Sequence, residues 1–320
     1  MMLGAMGDLH LRDTIPKGRS DSYDEVLLNK FVFILDFCDL HKIKVLIQPG
    51  DFFESVSASI SLIRRTFHIL RSHTVKVYVV YGQHDLRFHA KSTENVPLRL
   101  FEDFKLVTRL NPTGGTILNL PTDVNTVVGW GSSWNEDIPK DTNPKDVNIW
   151  ATHRMVIDDK KLWPGMENFA VAKHLLKTNP FDLIVTGDNH TSFTTKYGRR
   201  WLVNCGSLGR TNIDQATHIP HFFVFDTDTK KMARVRVPIE PPLAVLKIEE
   251  SKERKRKEAE LSQLIEKMES VVKVQKKINY KDAVLSAVKK VNNDAVSNMM
   301  EKIFIAAESK DMKLNLEETA

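Results

Sequence analysis

Five short apolar runs in this chain end in the same way, and that recurrence limits the folds open to it. The run Val45, Leu46, Ile47, Gln48 closes on Pro49, Gly50 and Asp51. A brief β-branched stretch stopped by Pro and Gly reads as a buried strand. Its last residue is a carboxylate, and open α/β sheets bind ligands beyond the carboxyl ends of their strands. Asp8 and His10 follow the apolar run 1–6, and Gln83, His84 and Asp85 follow 76–81. His153 follows 147–152, and Asp188 and His190 follow 183–186. One such ending is an ordinary turn. Five together carry Asp, His and amide side chains to one edge. In Asp8-Leu9-His10 the spacing matters too, because residues two apart in extended chain point the same way and can reach one ion.

Helical patterns separate these runs. Leu27, Leu28, Phe31, Ile34, Leu35 and Cys38 recur at helical spacing within 21–40, and Ile60, Ile63, Phe67 and Leu70 do so within 57–72. Strand alternating with helix implies right-handed crossovers and a parallel core. From 107 the rhythm changes. Segments 116–120 and 126–130 read as short antiparallel strands, and 132–146 as a polar loop. A helix is expected at 170–177 and short strands at 193–196, 201–205, 222–226, 232–238 and 243–248. The expected fold class is α/β in four layers: two packed mixed β-sheets flanked by helices, with the ligand cluster at one edge. Residues 241–257 read as a linker dense in Lys and Arg, and 258–320 as a small helical tail carrying three apolar stripes.

The hydrophobic fraction of 42% and charged fraction of 27% are those of a globular protein. No run of 18 apolar residues exists, so no membrane span is expected. The chain opens directly on a strand, with no basic region and cleavage site, which reads as no secretory signal. Two cysteines, Cys38 and Cys205, in apolar contexts point to a reducing compartment, and a cytoplasmic protein is expected. A formal net charge of +5 fits a polyanionic partner without selecting one.

Two divalent cations about 3.5–4 Å apart can clamp the attacking and leaving oxygens of a displacement at phosphorus and make hydroxide available near neutral pH. Such a centre needs a bridging carboxylate, terminal ligands and a proton donor. The five strand ends supply all three, with Asp51 as the bridge.

The order of these motifs resembles that of the calcineurin-like metallophosphoesterases, and most closely the SbcD-type DNA-repair nuclease subunits. Asp8-Leu9-His10, Gly50-Asp51, Gly82-Gln83-His84-Asp85, His153 and Gly187-Asp188-Asn189-His190 fall in family order. The loop at 13–21 and the Cys205-Gly206-Ser207 turn are similar as well, and the resemblance covers 1–240. It implies a metallophosphoesterase nuclease domain over 1–240. Asp8, His10, Asp51 and His190 would hold one metal, and Asp51, Gln83, His153 and Asp188 a second. His84 would act as proton donor, with Asp85 orienting its ring. Gln83 stands where the family has Asn, and Asp188 where it has His. The added carboxylate shifts the expected metal toward Mn²⁺, two per chain, or Mg²⁺ and away from Zn²⁺.

The implied activity is Mn²⁺-dependent phosphodiester hydrolysis by a deoxyribonuclease subunit. It would process DNA ends, as exonuclease or endonuclease, beside an SbcC-like ATPase that docks on the 258–320 helices. A homodimer seam is implied at 57–72 and 96–104. Segment 243–250 leaves almost no room for the capping domain of such chains, an economy that suits a phage-encoded protein working in its host's cytoplasm. Arg12, Lys17, Arg19, Arg87 and Arg210 lie in loops just after motif residues and read either as DNA-phosphate contacts or as solvated loop charges. Glu54 is placed outside the ligand set, and Trp130, Trp134 and Trp150 are read as packing residues. Two other readings stay open: a phosphoesterase for small phosphodiesters or phosphoproteins, and a DNA-end-binding scaffold that does not cleave.

Overall fold

A computed structural model describes residues 1–89, 92–118, 125–159, 165–257, 261–263, 265 and 302. In chain order its elements are β1 (Met2–Ala5), α1 (Tyr23–Leu40), β2 (Val45–Gln48), α2 (Ile60–Ser72), β3 (Lys76–Val79), α3 (Pro97–Asp103), β4 (Val107–Arg109), β5 (Thr116–Ile117), β6 (Val127–Ser132) and β7 (Val147–His153). They continue with β8 (Val156–Ile157), β9 (Ala170–Val171), α4 (Ala172–Thr178), β10 (Leu183–Gly187), β11 (Phe193–Tyr197), β12 (Arg200–Asn204), β13 (His221–Asp226), β14 (Lys231–Arg236) and α5 (Pro242–Val245).

Two six-stranded sheets carry the fold, in the orders β14-β13-β1-β2-β3-β4 and β11-β12-β10-β7-β6-β5. Strands β1 to β4 run parallel, as do β6, β7, β10 and β12. Antiparallel strands close three of the four outer edges, and β4, parallel to β3, forms the fourth. The five motif-bearing strands are therefore β1, β2 and β3 of one sheet and β7 and β10 of the other. Their carboxyl ends supply every ligand candidate.

The layers follow from period-two alternation within strands buried on both faces. Val45 and Ile47 point between the sheets, where they meet Ile149, Leu183 and Val185, whereas Leu46 packs with Phe31, Ile34 and Cys38 of α1. On the outer face of the second sheet Trp150 packs with α4 and lies 5.1 Å from the Phe181 ring. Trp130 and Trp150 are buried packing residues. Two sheets between helical layers give the α/β architecture expected.

Some boundaries differ from expectation for local reasons. Helix α2 starts at Ile60, because Ser59 caps it by accepting from the Leu62 N–H at 3.1 Å. Asp13 holds that cap by accepting from Ser59 N and Oγ at 2.8 and 2.6 Å. Residues 243–248 do not form a strand. Pro242 opens the short helix α5, and Leu246 then makes only an antiparallel bridge to Arg19, consistent with proline's fixed φ at a first helical position.

The chain packs as two units, Met1–Ile248 and Glu249–Ala320. In the second, 249–257 is helical, and its Lys252 and Lys257 pair with Glu249 and Glu253 at 3.0 and 2.8 Å. The expected docking stripes within 258–320 lie outside the described residues apart from 261–263, 265 and 302. Among the described residues no helix is long and apolar enough to cross a membrane.

One buried cation gives a pH prediction. Lys30 of α1 is buried and donates to the Leu208 carbonyl at 2.6 Å. Burial, with Arg19 and Arg210 nearby, lowers it to about 7. Between there and the ordinary lysine range the unfolded chain binds the extra proton, so raising the pH favours the folded state. Chemical denaturation should show wild type gaining stability relative to Lys30→Met from pH 7 to 9.5. A constant difference would contradict this.

Candidate metal centre

The loops after β1 and β2 are zipped together, and this sets the first ligands. Leu9 and His10 N–H donate to the Asp51 carbonyl at 3.2 and 2.9 Å, Leu11 N–H to Phe52 at 3.0 Å, and Glu54 N–H to Leu11 at 2.9 Å. Three candidate ligands adopt left-handed backbone: His10 (φ 48°), Asp51 (φ 51°) and Asp188 (φ 76°). Asp and His tolerate that region better than most residues, at a cost of about 1 kcal/mol or more each. Gly50 makes room: a Cβ there would lie 2.5 Å from His153 Nδ1.

Asp8, His10 and His190 bring ligand atoms within 4.8 Å of one another. His10 Nε2 lies 3.1 Å from His190 Nε2 and 3.6 Å from Asp51 Oδ2, and His190 Nε2 lies 3.7 Å from Asp8 Oδ2. At the same oxygen of the bridge, His153 Nδ1 donates to the Pro49 carbonyl at 2.8 Å, so Nε2 faces Asp51 Oδ2 at 3.3 Å. Gln83 donates its amide N–H to Asp188 Oδ1 at 3.1 Å. Asp8 Oδ2 accepts from the Asp188 backbone N–H at 2.9 Å, which ties the two groups.

A cation fits this arrangement. Asp8 Oδ1, Asp51 Oδ2, Gln83 Oε1 and His153 Nε2 are buried without a hydrogen-bond partner. Each such atom costs about 1–3 kcal/mol unless something takes up its lone pair. All four are oxygen or nitrogen donors, the set that Mn²⁺ and Mg²⁺ accept and that lacks the thiolates favoured by structural zinc.

Protons respond to the same charges. Burial raises Asp8 to about 7, with the Asp51 charge adding to the effect and His153 opposing it. Burial works against a charged His153, but the Asp51 carboxylate prevails and raises it to about 10. Burial also opposes ionisation of Asp51, yet His153, His10 and His84 hold its carboxyl well below the usual range. His190 is lowered to about 4 by burial and by His10.

His84 donates from Nδ1 to the Glu54 carbonyl at 2.9 Å, and its ring meets that of His10 edge-on at 5.1 Å. Asp85 does not orient His84. Its carboxylate is buried and accepts from the N–H groups of Phe52, Phe53 and Gly82 at 3.2, 2.9 and 3.0 Å. Asp85 therefore shapes the loop after β2, and the residue that steadies His84 is Glu54. By sequence Glu54 stands close to the bridge and outside the ligand set. Here its Oε2 lies 3.1 Å from His10 Nδ1 and its Oε1 accepts from Arg12 at 3.0 Å. Its only sequence signal is its position three residues after Asp51.

The five expected DNA contacts separate. Lys17 and Arg87 are exposed, and Arg12 is half-buried beside Glu54. Arg19 and Arg210 are buried and committed to the fold. Arg19 pairs with Asp21, donates to the Arg210 carbonyl at 2.8 Å and stacks 4.5 Å over Tyr23. Arg210 donates to the Ala216 carbonyl at 3.0 Å and to that of Glu240. Neither offers a free guanidinium to DNA; together they pin the loop that follows β12.

The family model for calcineurin-like phosphoesterases matches residues 1–192. The chain belongs to the calcineurin-like phosphoesterase family. The match spans all five motif-bearing strands, and membership carries metal-dependent phosphoester hydrolysis. Among solved structures, a single-substitution variant of Vps29 from Entamoeba histolytica is similar over 74% of this chain and 100% of its own, at 16% identity and a TM-score of 0.34. No curated protein sequence matches the chain. Gln83 and Asp188, the two positions expected to depart from the family pattern, are joined by a hydrogen bond.

Proposed function

We propose that the chain is a Mn²⁺-dependent phosphodiesterase that processes DNA ends, the nuclease subunit of an assembly with an SbcC-like ATPase. One observation supports a diester over a monoester. Two cavities use the ligand cluster as a wall. One, of about 190 Å³, is lined by His10, His84 and His190 together with Tyr23. The other, of about 650 Å³, is lined by His153 and Asp188 together with Arg154. They share no described lining residue. A diester has two arms to place beside the reacting phosphorus and a monoester one.

Asp8, His10, Asp51 and His190 hold one cation in this reading, and Asp51, Gln83, His153 and Asp188 a second. When bound, such cations polarise the phosphoryl group and supply hydroxide near neutral pH. The chain's own residues do the rest. Asp51 joins the two ligand sets, and Glu54 fixes His10 and His84. His84, whose Nδ1–H is committed to a carbonyl, presents Nε2, which in the doubly protonated ring carries the proton handed to the departing oxygen. His84→Ala is expected to lower kcat by about 10²–10⁴-fold while Mn²⁺ and DNA binding persist. Single-turnover kinetics would read this, and unchanged turnover would remove the role.

Arg12, Lys17 and Arg87 remain the DNA-phosphate contacts of the proposal. Buried free Cys38 and Cys205 are consistent with a reducing cytoplasm. A homodimer forms through α2 and the end of α3: Ile60 and Phe104 are 83% and 60% exposed, and Phe67 meets Phe104 at 5.4 Å. Sedimentation should show a dimer that Phe104→Glu converts to monomer; a dimer indifferent to that change would place the seam elsewhere.

The test of function is hydrolysis of end-labelled linear DNA with Mn²⁺, alongside bis(p-nitrophenyl) phosphate. Cleavage of DNA by the pure chain, or on adding the ATPase, supports the nuclease. Turnover of the small diester alone would make it a small-molecule phosphodiesterase. DNA binding with neither cleavage would make it a scaffold.

A further inference from the structure

The larger cavity is shaped for more than the reacting phosphate. It opens beside His153 and Asp188 and is lined further by Trp134, Arg154, Met155 and Phe169. Its volume of about 650 Å³ lies in the range of sites that enclose a ligand of nucleotide size. Arg154 follows His153 directly at the end of β7 and is half-buried. Its Nη2 donates to the Glu136 carbonyl at 3.1 Å, and among the described residues its guanidinium makes no ion pair. The nearby Glu136 carboxylate is already engaged: Oε1 takes Arg109 at 2.6 Å and Oε2 takes the Ser133 N–H at 2.7 Å. Asp137, on the same wall, is exposed to solvent. A fixed guanidinium with donors to spare, beside a phosphate-processing centre, matches the geometry of a second phosphate.

Two aromatic residues line the same cavity. Trp134 is half-buried, and its backbone N–H donates to the Tyr81 carbonyl at 2.8 Å, which anchors it beside the Gln83 loop. Phe169 is half-buried at the entry to β9, where the Ala170 N–H donates to the Met155 carbonyl at 2.9 Å. Aromatic faces beside a cation are the equipment of single-strand recognition, since every base has a face to stack.

We infer that this groove binds one nucleotide unit of a single DNA strand, with Arg154 gripping the phosphate next to the one being cleaved and Trp134 and Phe169 holding the base between them. This rests on the nuclease reading for its choice of ligand, but it assigns residues that reading does not use. The strand would then be presented unpaired at the centre. Duplex DNA would have to fray at its end to be cut.

The test is equilibrium binding of a fluorescein-labelled phosphorothioate single-stranded oligonucleotide to the Mn²⁺-loaded chain, read by anisotropy. Arg154→Ala and Trp134→Leu should each weaken binding by about 10-fold. Arg154→Lys should lose less than Arg154→Ala, and Trp134→Phe should stay close to wild type because it keeps a stacking face. Lys231→Ala, on the far edge strand β14, should change nothing. Thermal melting of each variant separates lost contacts from lost folding. Wild-type affinity in both Arg154→Ala and Trp134→Leu would overturn the groove, as would no binding by wild type. Arg154-dependent binding without any DNA cleavage would keep the groove and overturn the nuclease. Cleavage with binding indifferent to Arg154 and Trp134 would do the reverse.

Discussion

Asp51→Asn is expected to reduce Mn²⁺-dependent hydrolysis by about 10³-fold or more. Removing one positioned charge-stabilising group from an active site costs about 3–4 kcal/mol, and in the proposed centre Asp51 serves both ligand sets. Its Oδ2 is the atom nearest to His10 and to His153, at 3.6 and 3.3 Å. Asparagine keeps the shape and keeps an oxygen to accept the His84 N–H that Asp51 Oδ1 takes at 3.0 Å. The loop should survive while the charge is lost. The measurement is turnover of labelled DNA and of bis(p-nitrophenyl) phosphate across a Mn²⁺ titration, with a melting curve as control. Activity within a few-fold of wild type would mean that the cluster is not where hydrolysis happens.

The second large effect comes from a residue with no side chain. A Cβ added at Gly82 would stand 2.0 Å from Asp51 Oδ1 and 2.4 Å from Asp51 N. No rotamer relieves a clash with backbone, so the Asp51 and Gln83 loops must part. Gly82→Ala should cost about 1–3 kcal/mol of stability, the usual range for overpacking, and should abolish Mn²⁺ binding along with hydrolysis. Gly114 is the contrast. Its φ of +71° is left-handed, but a Cβ there meets nothing within 4 Å. Gly114→Ala should lose about 1–2 kcal/mol to backbone strain alone and keep full activity. Denaturant midpoints and metal titrations on the two variants read the difference. Intact Mn²⁺ binding in Gly82→Ala would show that the two loops are not locked as described.

The ligand candidates were legible because each sits at the end of an apolar run, and parallel strands place such ends together whatever the sequence separation. Asp8 and Asp188 are 180 residues apart yet share a hydrogen bond. The layers were legible because apolar runs such as β2 alternate with stretches of helical spacing such as α1. What escaped the sequence was the partner of each polar side chain. Asp85 reads as a neighbour of His84, but adjacent side chains diverge, and its carboxylate turns to three backbone N–H groups instead. Glu54 acts through its main-chain carbonyl as much as through its carboxylate, and a carbonyl carries no sequence signal. Arg19 and Arg210 follow motifs as DNA contacts would, yet they are buried by carbonyls supplied from 191 and 30 residues away. The short helix α5 reads as a strand from its apolar residues, and only Pro242 marks it otherwise.

In the proposed centre the cluster holds two cations, with Gln83 and Asp188 completing the second set. Equilibrium dialysis against Mn²⁺ counts the ions. Wild type should bind two ions per chain, and the double variant Gln83→Ala, Asp188→Ala one. A single ion per wild-type chain, unchanged in the double variant, would contradict a two-metal centre.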